Sequence, residues 1–404
     1  MIKQLIILLV SSWFFIGCST QKKLNNTSSL AKKLSGVLIQ SSAQYKILMK
    51  ETPEGRLPRT FEKGAVQSIN SDGWVSGFFP GTLLRLCQQT KDSTLLNEAL
   101  RRMTSLEKEQ FNKNTHDLGF MMYCSFGNAL QIAPNAGYDS ILINSARSLS
   151  TRFNPAVGCI RSWNSDPSHF VVIIDNMMNL ELLMYAFRQT HDSSFYHIAV
   201  THANTTMKNH FRDNYSSYHV VDYNPVTGAV QEKRTHQGAA NESAWARGQA
   251  WGLYGYTMMY RETGDQKYLE QAQHIAGFIL HNPNLPADKI PFWDFDAPGI
   301  PNTFRDASAA AIISSALLEL AAYTSDAAKK REYQKVAAII LDNLSKPPYK
   351  TEGDEAGGFL LEHSVGHLPN KSEIDVPLSY ADYYFVEAAM RYLGELKIKS
   401  ATPH

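Results

Sequence analysis

The sequence predicts an all-α fold, a closed (α/α)6 barrel of six helical hairpins. Three observations lead to this prediction: a helix-start pattern that recurs, twelve helical segments that form six pairs, and Pro and Gly residues that cluster between those segments. An open α-solenoid of helix pairs has the same sequence signature and stays open as an alternative.

The recurring pattern is an Asp followed by apolar residues three, four and seven positions later. It begins at Asp92, Asp139, Asp192 and Asp265, and three of the four copies open with Thr-x-Asp. An Asp N-cap ahead of an apolar stripe at this spacing is typical of an amphipathic helix. We therefore expect each Asp to cap a helix and the same hairpin to be reused along the chain.

The segments between and around these starts give the individual helices. The predicted helices cover 22–47, 76–90, 93–112, 118–132, 138–152, 175–190, 194–212, 244–263, 267–283, 306–323, 327–345 and 377–395, and strand-like sequence is confined to short pieces such as Tyr218 to Tyr223. Most links within the pairs are long, at roughly 48–75, 153–174, 213–243, 284–305 and 346–376. In a closed barrel these long links emerge on one rim, which is where function is expected.

The N-terminus indicates export. Met1-Ile2-Lys3 leads into an apolar run that is too short for a comfortable membrane span, and Ile16-Gly17-Cys18 resembles a bacterial lipobox in which Cys18 is lipidated. We expect a lipoprotein signal peptide over 1–18, a polar tether and the start of the first helix over 19–40, and a single barrel domain over 41–397. The expected location is the periplasm, with an outer-membrane anchor as the sole membrane contact; a simple cleaved secretory peptide is the alternative.

Charge and cysteine content exclude several classes of function. The 39 basic and 38 acidic residues give a net charge of +1, which provides no electrostatic footprint for nucleic acid. Beyond Cys18 the chain has Cys87, Cys124 and Cys159, an odd number without CxxC spacing, so neither a disulfide framework nor a zinc site is indicated. Each is expected to be a small buried hydrophobe. The histidines and carboxylates of the rim lack HExxH or His-x-His spacing, so we expect no metal.

Two aspartates are the candidate acid and base. Asp175 follows a β-branched run and precedes a Met- and Leu-rich helical pattern, and burying an unpaired carboxylate costs several kcal/mol or makes it take up a proton. Asp117 stands at the same point of the adjacent hairpin, so the two side chains are expected to meet across the rim. Paired carboxylates are the equipment of glycoside hydrolysis. Two independent N-caps are the alternative.

Tryptophans and one arginine complete the rim. Two or three exposed indoles would form a stacking platform for sugar rings, although core packing is the commoner role for each of Trp74, Trp245, Trp251 and Trp293. Arg247 could clamp a carboxylate in bidentate fashion, or form a structural ion pair with Glu242 or Asp175. Asp306 is interpreted as an N-cap.

Five rim motifs together resemble one family. They are Trp74-Val-Ser-Gly-Phe-Phe-Pro-Gly81, His116-Asp-Leu-Gly-Phe120, Ile174-Asp-Asn-Met-Met-Asn179, Thr235-His-Gln-Gly238 and Trp245-Ala-Arg-Gly-Gln-Ala-Trp251. From about residue 60 to 394 the chain resembles the unsaturated glucuronyl hydrolases, glycoside hydrolase family 88, and the last two motifs are the specific ones. The unsaturated rhamnogalacturonyl hydrolases share the barrel but usually differ after Trp-x-Arg-Gly, and are the second candidate.

The resemblance implies a reaction and roles for the rim residues. Members hydrate the Δ4,5-unsaturated uronic acid that polysaccharide lyases leave at the non-reducing end of glycosaminoglycan disaccharides and oligosaccharides. Asp175 would protonate C4 and then help water add to C5, and Asp117 would be the second catalytic aspartate, which positions the substrate. The residues implied to bind substrate are Trp74, His116, Phe120, His219, Gln237, Arg247, Trp251 and Ser364. No metal or organic cofactor is implied.

One departure from the family concerns sulfate. Some members that favour 6-sulfated chondroitin fragments carry a Ser/Lys cluster in the last long loop, whereas this chain has Ser364-Val-Gly-His367-Leu-Pro369. Unsulfated or heparin-derived disaccharides are therefore expected to be substrates. Two other classes stay open: a glycan-binding lipoprotein without turnover, and a barrel-type polysaccharide lyase, for which the chain shows no compelling Tyr/His/Arg cluster.

Overall fold

The structure is a computed structural model that describes residues 13–396, 398, 400 and 401, with side chains from Ser29 onward. Residues 1–12 of the predicted signal peptide and the side chain of Cys18, the predicted lipidation site, lie outside this description. Within the described part of the chain, no helix is both long and apolar enough to cross a membrane.

Twelve α-helices account for most of the described residues. They are α1 (Trp13–Glu51), α2 (Phe78–Thr90), α3 (Ser93–Met103), α4 (Asn128–Ile132), α5 (Ala136–Ser150), α6 (Leu180–Thr190), α7 (Ser193–Asn209), α8 (Ala246–Thr263), α9 (Gln266–His281), α10 (Ala307–Tyr323), α11 (Ala327–Leu344) and α12 (Ser379–Tyr392). A 3-10 segment, Thr104–Phe111, continues α3; a π-helix, Gly119–Gly127, precedes α4; and a second 3-10 segment, Ile174–Asn179, precedes α6. Every predicted helix is present. The first one begins earlier than predicted, at Trp13, and it includes the stretch after Cys18, in which no Pro or Gly occurs before Gly36.

The even-numbered helices form a closed inner ring. Going round the ring, α2 contacts the π-helix and α4, α6 contacts the π-helix and α8, α8 contacts α10, α10 contacts α12, and α12 contacts α2 again. Of these helices, α8, α10 and α12 are buried on almost every side; α10, for example, is built mainly from Ala, Ser, Ile and Leu. The contact between α12 and α2 confirms the (α/α)6 barrel and excludes the open solenoid.

Three of the four predicted N-caps are confirmed. Asp92, Asp192 and Asp265 accept hydrogen bonds from the backbone N–H two residues ahead, at the starts of α3, α7 and α9. The prediction for Asp139 is wrong. Asn135 caps α5 instead, with its side chain accepting from the backbone N–H of Gly137 at 2.8 Å. Asp139 therefore lies inside the first turn, where its side chain accepts a hydrogen bond from the hydroxyl of Tyr185.

Short antiparallel strands occupy the long links. They are β1 (Leu57–Glu62), β2 (Ala65–Ile69), β3 (Phe153–Asn154), β4 (Cys159–Ile160), β5 (Phe170–Ile173), β6 (Val220–Tyr223), β7 (Val230–Arg234), β8 (Ser364–His367) and β9 (Ser372–Val376). β5, β6 and β7 form a three-stranded sheet, and the others pair as the hairpins β1–β2, β3–β4 and β8–β9. These links enter the N-termini of the inner helices, so the strands lie on that rim of the barrel.

Candidate active site

Pairing of β5 with β6 places Asp175 beside His219. Ile173 is opposite Val220 in the sheet, and the backbone N–H of Ile174 donates to the carbonyl of His219 at 3.0 Å. Asp175 follows at once, in the 3-10 segment that leads into α6. Its Oδ2 lies 3.7 Å from Nε2 of His219. Residues from two long links thus meet at the start of one inner helix.

A glycine lets the second aspartate approach this point. A Cβ on Gly119 would lie 2.5 Å from Cα of Asn179, at the end of the segment that contains Asp175. The side-chain oxygen of Asn179 also accepts from the backbone N–H of Phe120 at 3.0 Å. Any residue larger than Gly would push the two segments apart, because the clash is with backbone. Gly119 therefore explains the close approach of the His116-Asp117 turn to Asp175.

Asp117 and Asp175 are not helix caps. The π-helix that follows Asp117 and the 3-10 segment that contains Asp175 both begin without a side-chain capping hydrogen bond. Asp117 instead accepts from Oγ1 of Thr115 at 3.1 Å, and its Oδ1 lies 3.4 Å from Nε2 of His116. The alternative of two independent N-caps is therefore wrong, and both carboxyls face the rim site.

The surroundings of Asp175 bring the pKa of its carboxyl close to neutral pH. The side chain is buried, with the residue 8% exposed, and burial raises its pKa to about 7. The positive charge of Arg247 opposes this rise, and the negative charge of Asp117 adds to it. Its Oδ2 has no hydrogen-bond partner in the protein. This carboxyl can therefore hold a proton at neutral pH and present it to a ligand.

His219 is held in one neutral tautomer. Its Nδ1 accepts from the backbone N–H groups of His236 at 3.2 Å and Gln237 at 3.1 Å, so the ring proton is assigned to Nε2. That nitrogen is the one that faces Asp175. Burial, followed by the nearby His236 and Arg247, lowers the pKa of His219 well below its usual value. His219 therefore acts as a neutral donor beside the carboxyl of Asp175.

Arg247 is fixed by a partner that the sequence did not indicate. Its NH1 donates to Oδ2 of Asp306 at 3.0 Å and to the carbonyl of Val365, and its NH2 donates to the carbonyl of Gly366 at 2.7 Å. Pairing with Glu242 or Asp175, suggested above, is wrong, since α8 directs the guanidinium toward the N-terminus of α10. Three of its five N–H groups are engaged, and two remain for a ligand.

The last long link closes over this arginine. Gln237 donates its side-chain amide to the carbonyl of Gly366 at 2.9 Å, the same oxygen that accepts from Arg247. The guanidinium lies 4.5 Å from the ring of Trp245 and 5.3 Å from that of Tyr380. Ser364, at the start of β8, is buried with its hydroxyl unpartnered. Gln237, Arg247 and the β8–β9 hairpin thus form one wall of the site.

A chain of aromatic rings forms the floor. Ring centroids of Trp74 and Phe120 are 5.6 Å apart, and those of Phe120 and Trp251 are 5.0 Å apart. Trp74 is partly exposed, whereas Trp245, Trp251 and Trp293 are 2%, 0% and 3% exposed. The expected platform of several exposed tryptophans is therefore wrong. Trp293 packs on Ala297 and Val365, where it holds the rim loops together.

Trp163 is a rim residue that the sequence interpretation left out. Its ring is 4.9 Å from that of His236 and 6.1 Å from that of His219. His236 in turn lies 4.5 Å from His367, so Trp163, His219, His236 and His367 form one aromatic cluster beside Asp175. The available signal was position, because Trp163 belongs to the same long link as Asp175. Asn176 was also missed; it faces His116, whose pKa is lowered by burial, and it opposes part of that shift.

Unpartnered buried polar atoms concentrate at this rim. They include Asp175 Oδ2, His219 Nε2, Trp251 Nε1, His116 Nδ1, Ser364 Oγ and His367 Nε2. Buried polar groups normally have partners, so such a group of atoms indicates a polar ligand. Across the described residues, no group of three His, Cys, Asp or Glu side chains is placed to hold a metal ion. Cys87 and Cys159 are buried thiols, and Cys124 is partly buried.

Comparisons with known proteins give a consistent result. The chain is 41% identical over 394 residues to an unsaturated glucuronyl hydrolase of Formosa agariphila, with 96% of this chain and 97% of the relative covered. It is 30% identical to an unsaturated chondroitin disaccharide hydrolase of Streptococcus agalactiae, with 84% and 86% covered. A crystal structure of an unsaturated glucuronyl hydrolase specific for heparin superposes with a TM-score of 0.87 at 46% identity, covering 91% of this chain and 100% of that one. No family model matches the chain.

Proposed function

The chain belongs to the unsaturated glucuronyl hydrolase family, and we propose that it removes the Δ4,5-unsaturated uronic acid from the non-reducing end of glycosaminoglycan fragments by hydration of the C4=C5 bond. It is a glycosidase, and the single observation that supports this chemistry best is the state of Asp175. A buried carboxyl with a pKa of about 7 and an unpartnered oxygen is suited to give a proton to a bound substrate.

The first step is protonation of the enol ether. The Asp175 carboxyl transfers its proton to C4, the C4=C5 π bond breaks, and positive charge develops at C5 and the ring oxygen. The carboxylate that remains on Asp175 stabilises this charge at close range. His219, which is held neutral, adds no positive charge beside the cation. Its Nε2–H group is placed to orient the Asp175 oxygen.

The second step adds water. Asp175, now a carboxylate, takes a proton from water as the water oxygen bonds to C5, which restores the acid and forms a hemiketal. Opening of the hemiketal breaks the bond between C5 and the ring oxygen and leaves a ketone at C5 and a hemiacetal at C1. The C1 hemiacetal then releases the aglycone sugar as an alcohol. The net change is the addition of one water molecule, without any redox step.

We assign binding of the uronate carboxylate to the wall formed by Gln237, Arg247 and the β8–β9 hairpin. Arg247 keeps two N–H groups free after its contacts with the protein, and Gln237 lies next to it on the carbonyl of Gly366. A fixed guanidinium matches the geometry of a carboxylate. Asp117, hydrogen-bonded by Thr115 and facing His116, is positioned for sugar hydroxyls and shapes the charge around Asp175. Trp74 offers a partly exposed ring for stacking.

Heparin-derived disaccharides are the proposed substrate class. The loop Ser364-Val-Gly-His367 lacks the lysine of the Ser/Lys cluster described above, and a heparin-specific hydrolase is 46% identical to this chain. The side chains of His367 and His236 border this part of the site, and both have lowered pKa values because of burial. Neutral imidazoles offer hydrogen bonds to a sugar without a fixed charge for a sulfate.

Export as a lipoprotein remains part of the proposal. The lipobox-like Ile16-Gly17-Cys18 supports lipidation of Cys18, periplasmic location and anchoring in the outer membrane. An enzyme at that location would meet fragments as lyases release them. Globomycin treatment of producing cells should make the unprocessed precursor accumulate. Normal processing, or replacement of Cys18 by Ser without loss of membrane association, would contradict the anchor.

The test of the proposed function is turnover of a panel of unsaturated disaccharides. The panel contains unsulfated and sulfated heparin, chondroitin and hyaluronan products and a rhamnogalacturonan product, and the readout is the ultraviolet absorbance of the C4=C5 bond. We expect the absorbance to fall with glucuronyl substrates, fastest with an unsulfated heparin product. Binding without a fall would favour a glycan-binding protein, and a rise with intact polymer would indicate a lyase.

A further inference from the structure

We propose that Asp306 is a positioning residue for the reaction, which holds Arg247 and the β8–β9 hairpin in the arrangement that receives the substrate carboxylate. This inference rests on the proposed function, because Arg247 matters in this way only if it binds the uronate. Asp306 lies at the N-terminus of α10 and is fully buried. It does not reach the reacting atoms itself, so its effect must pass through Arg247.

The two oxygens of Asp306 have different tasks. Oδ1 caps α10 by accepting from the backbone N–H groups of Ser308 at 3.0 Å and Ala309 at 3.3 Å. Oδ2 accepts from NH1 of Arg247 at 3.0 Å. Among the residues that the structure describes, Asp306 is the only carboxylate in direct contact with this guanidinium. Capping of α10 uses only Oδ1 of Asp306, and Oδ2 is therefore available to bind Arg247.

The backbone around Asp306 links the same parts of the rim. Its own N–H donates to the carbonyl of Pro291, and the N–H of Ala307 donates to the carbonyl of His363, both at 2.9 Å. His363 directly precedes β8, whose Val365 and Gly366 carbonyls accept from Arg247. The start of α10 therefore fixes both the guanidinium and the strand that closes over it. Preorganisation of this kind reduces the freedom that a long arginine side chain would lose on binding substrate.

Asp306 also adjusts the charge around the acid. The charged and titratable groups that face Asp175 are Arg247, Asp117 and His219. Arg247 favours ionisation of Asp175, and the negative charge of Asp306 offsets part of that influence. Removing this charge while keeping the arginine should lower the pKa of Asp175. Since the reaction needs Asp175 protonated, the loss of activity with rising pH should then begin at a lower pH.

The test compares Asp306→Asn with a matched cap variant. Asp326 caps α11 through the backbone N–H groups two and three residues ahead, as Asp306 does on α10, but it is exposed and contacts no arginine of the site. We expect Asp306→Asn to lower kcat/KM on the order of 100-fold, mainly through a higher KM, and to shift the basic limb of the pH profile to lower pH. Asp326→Asn should change neither.

The outcomes separate the inference from its premise. An Asp306→Asn enzyme with wild-type KM and an unshifted basic limb would overturn the positioning role, and so would a variant that only unfolds at lower temperature. If the wild-type protein turns over no unsaturated disaccharide, the proposed function itself fails. Should Asp306→Asn not fold, Asp306→Ser keeps a capping oxygen without the charge and is measured in the same way.

Discussion

Two buried carboxyls with the same raised pKa show what distinguishes a reactive group from a structural one. Burial raises the pKa of both Asp175 and Asp382 to about 7. The oxygens of Asp382 accept from the Tyr45 hydroxyl and from the backbone N–H groups of Leu360 and Leu361, each at 3.0 Å. Oδ2 of Asp175 has no partner. The unpartnered oxygen, more than the pKa, therefore identifies Asp175 as the group with a task.

Replacing each carboxyl by an amide should affect the rate in one case and the stability in the other. Asp175→Asn removes the proton donor and should lower kcat by roughly 10²- to 10⁴-fold while the far-ultraviolet circular dichroism stays unchanged. Asp382→Asn leaves a buried donor or acceptor unpaired and should lower the free energy of unfolding by about 1–3 kcal/mol with kcat unchanged. Steady-state kinetics and denaturant unfolding measure both. An Asp175→Asn enzyme that keeps the wild-type kcat would refute the role of Asp175 as the acid.

The pH profile of the wild-type enzyme should reflect Asp175. A carboxyl with a pKa raised to about 7 is protonated below that pH and loses the proton as pH rises through it, so kcat/KM should fall above about pH 7. A profile that does not fall near this pH would contradict the protonated state assigned to Asp175.

Sequence reasoning at the residue scale succeeded where the cause is local. The apolar flanks of Asp175 predict its burial, and burial explains its raised pKa. The partner of Arg247 was not predictable in this way, since Asp306 lies 59 positions away and reads as an ordinary N-cap. Trp163 was missed for a related reason: its neighbours His219 and His236 come from another link.

At the scale of elements, short pairings set the site geometry. β5 and β6 bring Asp175 and His219 together across a long stretch of chain, and their four-residue length gives little sequence signal. The apolar run before Asp175 is visible in the sequence, but its pairing with β6 is a tertiary property. The caps at Asp92, Asp192 and Asp265 are local properties and were predicted correctly. The cap at Asp139 was not, because Asn135 ahead of it starts the helix earlier. The predicted helix 118–132 is α-helical only over Asn128–Ile132, after a π-helix that the periodicity did not indicate.

Substitution of Gly119 tests whether the close contact between the start of the π-helix and the 3-10 segment Ile174–Asn179 matters for activity. Gly119→Ala would place a Cβ 2.5 Å from Cα of Asn179, so the His116-Asp117 turn must move away from Asp175. A shift of about 1 Å in a catalytic group costs on the order of 10²-fold in rate, which is the expected loss in kcat/KM.

The matched control is Gly277→Ala in α9, where an added Cβ meets nothing within 4 Å. It should raise the free energy of unfolding by roughly 0.5–1 kcal/mol without changing kcat. Equal kinetics for the two variants would argue against the packing role of Gly119.

On the scale of the whole molecule, the chemistry and the stabilising charges form separate clusters in the barrel. The site lies at the N-termini of the inner helices, whereas an ion-pair network joins the last turns of α8, α10 and α12 to Glu181 in the first turn of α6. Arg261 pairs with Glu181, Glu262 and Glu319, and Arg391 pairs with Glu319 and Glu387. The contact between α12 and α2 that closes the ring could not be predicted from the repeat alone. A repeated hairpin predicts that successive hairpins pack together, but it does not predict whether the last one packs on the first.

Glu319 is the centre of that network and provides a test of the division. Despite its burial, Arg261 and Arg391 lower the pKa of Glu319 to about 2. Its contribution to stability is therefore present above about pH 4.5, the ordinary pKa of a glutamate, and is lost as pH falls toward 2. Glu319→Gln should lower the free energy of unfolding at pH 7 by roughly 3–5 kcal/mol and leave kcat unchanged. A large loss of kcat in a folded variant would contradict the separation of the ion-pair network from the active site.

The most direct test of the central claim is the stereochemistry of proton delivery to C4. The reaction is run in D2O with an unsaturated disaccharide, quenched in the first turnovers before the product can exchange, and examined by NMR. If Asp175 is the acid, the wild-type product carries one deuterium on a single face of C4, and Asp175→Asn forms product at least about 100-fold more slowly. Deuterium on both faces would contradict the account, because C4 would then be protonated in solution after release of an intact unsaturated sugar.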